Sequence, residues 1–253
     1  MSDIADRILA DIAALAPFEP REAEIGSILD AYRIQSEVNA ALLAAQPGRR
    51  IAGYKIAFNR PSSMDYYHLQ EPCYAPLFSD QIQGAGATLA LAEFNDLVIE
   101  PEIGVRLGTP LGGAASAHEV LAAVSAWFPA IEVMDVRGAF ARDPSAAAAV
   151  AQRVHSEGAV VGADAGRELP DMADIVARIV IDSATAGEAT GNAPQAPLEA
   201  LAWLAGRLAA DVLPLDAGMI VLTGAHLPGH KIGKAGVIEV TLEPLGRVSL
   251  TVV

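Results

Sequence analysis

Two glutamates interrupt an apolar run of the kind that forms a β-strand. Residues 97–99 and 103–105, which flank Glu100 and Glu102, are apolar apart from one glycine. Side chains two positions apart on a strand share a face and lie roughly 6–7 Å apart, so the two carboxylates are neighbours. They resist burial unless solvent, an arginine or a cation compensates their charge. One interpretation is a metal site, because Mg²⁺ prefers such oxygen ligands. The other is an edge strand with a solvated face, because Pro101 cannot donate a hydrogen bond within a sheet.

A third acid stands alone in a second strand-like run. Glu132 lies within the sequence Pro-Ala-Ile-Glu-Val-Met-Asp that spans 129–135. Three carboxylates could form one face of a metal site and leave the remaining positions open for substrate and water. The alternative for Glu132 is an ion pair with Arg137 or Arg106.

Two further charged residues could carry protons or bind substrate. Lys55 is a lone charge in a β-rich run, where it could bind a substrate carboxylate or move a proton. It could equally be a lysine whose stem packs along the strand while its ammonium group reaches water. Asp80 follows the short apolar run 77–78 and could act as a general acid or base. Its alternative role is to initiate a turn.

Several common catalytic signatures are missing from the chain. We find no phosphate-binding P-loop, no Gly-x-Gly-x-x-Gly after a strand and no Gly-x-Ser-x-Gly elbow. His226 and His230 are four residues apart, but Pro228 and Gly229 between them break any helix, so both are expected in a loop. Cys73 is the only cysteine, which excludes an intrachain disulfide and a cysteine-based zinc site.

Composition narrows the class of protein and the partners to expect. Of 253 residues, 52% are hydrophobic and 19% are charged, which is typical of a globular chain. The 31 acidic and 17 basic side chains give a net charge of -14, which disfavours nucleic acid as a partner. A bound cation would still allow an anionic substrate to bind locally. Residues 1–7 lack the pattern of a signal peptide, and no apolar run approaches the ~20 residues of a membrane span. We therefore expect a cytoplasmic protein with no membrane contact.

The chain begins with a helical segment, residues 1–47, that contains two amphipathic patterns. Apolar residues recur at helical spacing from Ile4 to Ile12 and again over about 25–45, and a proline-glycine pair ends the second pattern. These helices are expected to serve as a packing or oligomer-forming extension.

From Arg50 onward, short β-rich runs are separated by turn residues. Strands and helices do not alternate regularly, which predicts an α+β fold built on a mixed or antiparallel sheet. Helices are expected near 117–127, 145–153 and 198–210, and a hairpin tip over 184–192. No linker divides the chain, so residues 1–253 are expected to form a single domain whose metal-binding core is 50–253. The strands are predicted at 51–58, 97–107, 130–136, 159–162, 175–182, 219–223, 237–242 and 247–252.

These signals follow one another in a familiar order. The chain shows Gly-Tyr-Lys at 53–55, Leu-Phe-x-Asp at 77–80, Glu-x-Glu-Ile at 100–103, Pro-Ala-Ile-Glu-Val at 129–133, Pro-Leu-x-Ala-x-Ala-Trp-Leu-Ala at 197–205 and Gly-x-Ile-x-Leu-Thr-Gly at 218–224. From Ile51 to the C-terminus, this order resembles the fumarylacetoacetate hydrolase superfamily. It is most similar to the branch of 2-keto-4-pentenoate hydratases and 4-oxalocrotonate decarboxylases.

The resemblance implies a fumarylacetoacetase-like mixed β-sandwich or roll with flanking helices. It places the family's three metal ligands on Glu100, Glu102 and Glu132. The family's lysine falls on Lys55, its catalytic aspartate on Asp80 and its active-site serine on Ser156. Two segments depart from the family pattern. Residues 56–62 replace an Ile-Gly-Leu-Thr-Ser stretch, and residues 153–157 lack an Asp-Asn pair before the serine.

The resemblance also implies a reaction class. A Mg²⁺ or Mn²⁺ ion held by the three carboxylates would stabilise an enolate of a small 2-keto acid. We expect a hydratase of the 2-keto-4-pentenoate type, with Asp80 carrying the proton. A decarboxylase of the 4-oxalocrotonate type and an acylpyruvate hydrolase that cleaves a carbon–carbon bond are the alternatives, and an inactive small-molecule-binding homologue is a further one. The family is commonly oligomeric, so a homo-oligomer is expected.

Overall fold

A computed structural model describes residues 1–253 as six α-helices, four short 3₁₀ turns and thirteen strands. The helices are α1 (Asp3–Ala13), α2 (Ile28–Ala45), α3 (Pro61–Tyr66), α4 (Ala117–Ala123), α5 (Ala146–Ala151) and α6 (Pro197–Ala210). The strands are β1 (Ile51–Ala57), β2 (Cys73–Phe78), β3 (Ile82–Gly84), β4 (Ala87–Leu89), β5 (Leu97–Leu107), β6 (Val124–Asp135), β7 (Ser156–Val161), β8 (Val176–Ile181), β9 (Ala184–Thr190), β10 (Ile220–Ala225), β11 (His230–Lys231), β12 (Gly236–Glu243) and β13 (Gly246–Val252). None of the helices has the length and hydropathy needed to cross a bilayer.

The two N-terminal helices begin at serine caps. Ser2 accepts a hydrogen bond from the amide of Ala5, and Ser27 accepts one from the amide of Asp30 at 3.1 Å. Each cap satisfies an amide that the first helical turn leaves without a partner. The apolar faces of α1 and α2 are buried against β2 and α5, in a cluster separate from the main core. The helical segment therefore covers one side of the β-rich region.

The larger sheet is mixed and contains the candidate site. Its strand order is β2-β1-β10-β5-β6-β7-β3, and β11 adds to the end of β5. The pairs β1 with β10 and β3 with β7 are parallel, whereas the other pairs are antiparallel. The long β5 and β6 lie at the centre, where both faces of the sheet are covered. Nearly continuous burial along them explains why their sequences read as apolar runs with single acids.

A second, antiparallel-rich sheet packs on the first. Its order is β4-β13-β12-β8-β9, and its inward side chains, such as Ile238, Val240 and Leu250, share one apolar cluster with Ile103 and Trp127 of the larger sheet. Burial of this shared surface is the main force that holds the two layers together. The expectation of a mixed β-sandwich with flanking helices is confirmed.

Two local predictions were wrong, both because tertiary pairing decided the outcome. The helix expected over 117–127 ends at Ala123, and the next residues already belong to β6, where Ala126 pairs with Arg106. The 184–192 segment expected as a hairpin tip is mostly β9, an edge strand whose polar residues face solvent. The turn lies just before it, at Asp182 and Ser183, both with positive φ.

Candidate metal centre and active site

The central strands bring the three candidate glutamates together. Glu100 and Glu102 are two residues apart on β5, and Glu132 on β6 lies directly opposite Glu100 in the antiparallel register. Side chains opposite each other in such a pair have Cβ atoms about 4.5–5.5 Å apart. Ligand oxygens of all three carboxylates lie within 4.8 Å of one another. The strand alternation and the β5–β6 register together therefore create one cluster of oxygen ligands.

Two of the three acids are buried and Glu100 is half-buried, so their charges oppose one another in a region of low polarity. Glu102 and Glu132 are 0% and 1% exposed. Burial and the Glu132 charge raise the pKa of Glu100 to about 8. Burial, followed by the charges of Glu132 and Glu100, raises the pKa of Glu102 well above its usual range. Without a compensating cation, the cluster therefore favours proton uptake.

The residues of the cluster fit a divalent cation. Oε1 of Glu102 is buried and has no hydrogen-bond partner, although buried polar atoms normally have one. Three carboxylates supply only hard oxygen ligands, which suits Mg²⁺ and Mn²⁺ and does not suit a soft metal. A cation would both satisfy the free oxygen and cancel the mutual repulsion of the acids.

Lys55 supplies the only cationic group in contact with the three acids. Its Nζ lies 2.6 Å from Oε1 of Glu132, and both side chains are almost completely buried. The strands β1 and β6 are separated by β10 and β5 in the sheet, so the lysine side chain spans the curved face of the sheet. A buried lysine held against a carboxylate can bind an anionic ligand or move a proton between Nζ and a substrate.

A bulge in β10 fixes the orientation of one candidate ligand, Glu102. The pairing of β10 with β5 shifts register between Leu222 and Ala225. Within this interval, the amide of Gly224 donates a 2.6 Å hydrogen bond to Oε2 of Glu102. Gly224 has φ +110°, and a Cβ there would lie 2.5 Å from Oδ1 of Asn59. Bulges commonly redirect backbone groups toward functional sites, and this one requires glycine.

The cluster borders a cavity of about 690 Å³. Lys55, Glu100 and Glu132 belong to its lining. Arg60 also lines the cavity, and it contacts Ala225, which pairs with Glu102, so the guanidinium lies near the acids. Arg60 donates hydrogen bonds to Oδ1 and the backbone oxygen of Asn192 and to the backbone oxygen of Ala225. The sequence marks the 56–62 segment as unusual, but it does not identify Arg60 as a wall of the site.

Asp80, the residue expected to carry the proton, does not belong to the lining of this cavity. Asp80 follows β2 and accepts hydrogen bonds from Nε and Nη2 of Arg49, at 3.0 and 2.6 Å. Lys55 pairs with Ala75, five positions before Asp80, which corresponds to about 15 Å of extended chain. The hydrogen bond from Arg49 lowers the pKa of Asp80, as expected for an aspartate in a surface ion pair.

Ser156 lies beside the cavity wall, and the preceding residue faces the cavity. Ser156 begins β7 opposite Met134; it is buried, and its Oγ has no hydrogen-bond partner. His155 lines the cavity instead. The backbone has positive φ at three successive residues, Arg153, Val154 and His155. Such a run of left-handed conformations is strained for residues other than glycine. Hydrophobic periodicity in the sequence does not predict this backbone conformation.

Burial lowers the pKa of His155 to about 3, and the charges of Lys55 and Arg137 add to the effect. The imidazole is therefore neutral at neutral pH. Its ring packs edge-on against Phe18 at 5.1 Å and against Phe140 at 6.4 Å between centroids. His155 thus contributes a flat, uncharged surface to the cavity.

Comparisons with known proteins agree with this geometry. Residues 57–253 match the family described as fumarylacetoacetate (FAA) hydrolase, C-terminal. A 2-keto-4-pentenoate hydratase of Paraburkholderia phymatum is 32% identical over 224 residues, which cover 86% of this chain and 83% of the relative. A 2-hydroxyhexa-2,4-dienoate hydratase of Comamonas testosteroni is 25% identical, with coverage of 96% of this chain and 92% of the relative.

A solved structure shares the whole fold. The 4-oxalocrotonate decarboxylase from Pseudomonas putida G7, complexed with magnesium and adipate, superposes with a TM-score of 0.89. The alignment covers 99% of this chain and 96% of the other, at 23% identity. Taken with the family match across 57–253, these similarities show that the chain belongs to the fumarylacetoacetate hydrolase family.

Proposed function

We propose that the protein is a Mg²⁺- or Mn²⁺-dependent hydratase of a small 2-hydroxydienoate, the enol form of a 2-keto acid. The observation that carries the proposal is the cluster of Glu100, Glu102 and Glu132, with Lys55 in contact with Glu132 and a cavity beside it. The 32% identity to a 2-keto-4-pentenoate hydratase over most of both chains supports hydration as the reaction.

The proposed reaction has two balanced stages. In the first, the dienol loses its 2-hydroxyl proton, gains a proton at C5 and becomes an enone with a 2-keto group. In the second, the hydroxide portion of water bonds to C4 and a proton is added at C3. A divalent cation bound to the three carboxylates would stabilise the negative charge that develops on the 2-oxygen.

The protein's own residues have distinct roles in this proposal. Glu100, Glu102 and Glu132 hold the cation, and the Gly224 amide fixes the orientation of Glu102. Lys55 moves protons at Nζ, because it is the cationic side chain that contacts the acids and Asp80 lies elsewhere. Arg60 places a positive charge near Glu100, where it attracts the substrate carboxylate. Ser156 lies next to His155 and helps to shape the part of the cavity wall that His155 forms.

The test is Mg²⁺-dependent turnover of 2-hydroxypenta-2,4-dienoate, followed by loss of its ultraviolet absorbance and by identification of the product. We expect 4-hydroxy-2-oxopentanoate, no released CO₂, and no activity after chelation. Glu102→Gln should lose metal binding without unfolding. Release of CO₂ from oxalocrotonate or cleavage of acylpyruvates at a higher rate would refute the assignment as a hydratase. Metal binding without turnover of any of these acids would indicate an inactive homologue.

We also propose that the protein forms a homo-oligomer of at least two chains, as is common among the proteins it resembles. The helices α1 and α2 cover one side of the core and offer an additional surface for association. Light scattering should give a mass of at least twice 26.2 kDa. A monomeric mass at working concentration would contradict this proposal.

A further inference from the structure

The cavity is larger than a five-carbon acid requires. 2-Hydroxypenta-2,4-dienoate has eight non-hydrogen atoms, which would occupy at most roughly 240 Å³ at about 30 Å³ each, the volume of one water in the liquid. The cavity measures about 690 Å³, within the range of about 300–1,000 Å³ found for sites that hold drug-sized ligands. Most of the volume therefore lies beyond the part of the substrate that would face the acids.

An aromatic ring, that of Phe140, lines the cavity beside the cluster. Phe140 is 60% exposed, although a large apolar side chain is normally buried. A Cβ placed on Gly229 would lie 3.0 Å from Oε1 of Glu100 and 3.5 Å from Cε2 of Phe140. The Phe140 ring and the Glu100 carboxylate therefore flank the same backbone position. A substrate held at the acids would extend past this ring.

His155 forms the continuation of the same wall. Its ring meets Phe140 almost perpendicularly, with an interplanar angle of 87°. The side chain of Arg153 fixes the segment by hydrogen bonds to Oδ1 of Asn39 and to the backbone oxygen of Pro76, and its guanidinium lies 4.4 Å from the Phe78 ring centroid. The buried guanidinium of Arg153 therefore stabilises the strained turn that directs His155 toward the cavity.

Two further rings, those of Phe58 and Tyr67, also belong to the cavity lining. Their centroids are 4.8 Å apart. Tyr66 donates a hydrogen bond to Asp143, which lines the cavity and forms no ion pair. The hydrogen bond from Tyr66, the neighbour of Tyr67, places the Asp143 carboxylate beside these rings. An anionic group beside Asp143 would meet a like charge.

We propose that the preferred substrate is a 2-keto acid, or its dienol, whose far end carries an uncharged flat group such as an aryl ring. This inference rests on the proposed function, because the acids must hold the keto-acid end. The ring packs against Phe140 and His155, and Phe58 and Tyr67 complete the enclosure. Aromatic pairs favour edge-to-face and offset arrangements, which these side chains offer. The segments that supply Phe58 and His155 are the two that depart from the family pattern.

The test compares three keto acids by calorimetric titration of the Mg²⁺-loaded protein. Pyruvate reports the keto-acid end alone, 2-oxo-4-phenylbutanoate adds an uncharged ring, and 2-oxoadipate adds a second carboxylate. We expect the phenyl compound to bind at least about tenfold more tightly than pyruvate, and 2-oxoadipate to bind no more tightly than pyruvate. Phe140→Ala should remove most of the advantage of the ring and leave pyruvate affinity unchanged. This side chain is largely exposed, so the variant should fold.

Leu121→Ala is the matched control, because Leu121 is an apolar side chain, 42% exposed, that does not line the cavity. It should change none of the three affinities. The inference is overturned if the phenyl compound binds no better than pyruvate, if 2-oxoadipate binds most tightly, or if Phe140→Ala weakens pyruvate as much as the phenyl compound. Absent or Glu102-independent pyruvate binding would overturn the proposed function, and the inference with it.

Discussion

Glu100→Gln should have opposite effects on stability and on metal binding. In the metal-free protein, burial and Glu132 raise the pKa of Glu100 from 4.5 to about 8. At pH 7 the unfolded chain has lost this proton and the folded protein keeps it. For an acid whose folded pKa is raised, stability therefore falls as the pH rises from 4.5 to about 8. Glutamine keeps the shape of the side chain and cannot ionise, so the variant avoids this loss.

The expected magnitude follows from the size of the shift. One pKa unit corresponds to about 1.4 kcal/mol, which gives a destabilisation of about 3 kcal/mol at pH 7 as an upper value. Allowing for relaxation of the site, we expect metal-free Glu100→Gln to be about 1–3 kcal/mol more stable than the wild type. For a protein of this length, 1 kcal/mol changes the melting temperature by about 2–4 °C. The variant should therefore melt roughly 2–10 °C higher.

Mg²⁺ should reverse the order. At a concentration of about 100 times its Kd, the ion stabilises the folded wild type by about 2.7 kcal/mol. Glu100→Gln loses one ligand and should show little of this gain. The assay is thermal unfolding at pH 7, with a chelator and then with saturating Mg²⁺. Glu93→Gln, at an exposed position, makes the same change in net charge and should match the wild type in both conditions.

Two results would refute this reasoning. If metal-free Glu100→Gln melts below the wild type, the carboxylate is not a destabilising buried acid. If Mg²⁺ stabilises the variant as much as the wild type, Glu100 is not a ligand.

Three further predictions concern the surroundings of the cluster. Gly224→Ala should weaken Mg²⁺ binding about tenfold or more in calorimetry, because a Cβ would collide with Asn59 and disturb the amide that holds Glu102. Gly218→Ala is the control: Gly218 also has a positive φ but has open space around it, so this variant should bind Mg²⁺ as the wild type does. Lys55→Met should lower kcat by about 10²–10⁴ with the preferred dienoate, whereas Asp80→Asn should leave kcat nearly unchanged. Equal losses of kcat in the two variants would contradict the role of Lys55 as the proton carrier. His155→Gln should gain stability relative to the wild type as the pH falls from 6.5 toward 3, because the imidazole binds a proton in the unfolded chain but not in the folded protein. The assay is chemical denaturation at pH 7 and pH 5. An unchanged difference in stability between the two proteins would contradict this prediction.

The sequence by itself determined the features that depend on local geometry. Strand alternation placed Glu100 and Glu102 on one face, and the apolar runs around Glu132 and Lys55 marked each of them as a lone charge in a strand-like segment. The bounds of β5 and the α+β class also follow from short-range rules. Each of these inferences needs only the residue and its near neighbours in the chain.

Tertiary structure decided which of these residues meet. Glu132 faces Glu100 because of the β5–β6 register, which is fixed by burial on both faces and by the connection through α4. Lys55 reaches Glu132 only because the sheet curves. Asp80 fitted the sequence pattern but lies at the far end of β1 beside Arg49, a contact that no local pattern encodes. His155 enters the cavity through a left-handed turn that is stabilised by distant packing. Contacts between residues far apart in the chain depend on how whole layers pack, and hydrophobic periodicity does not specify that arrangement.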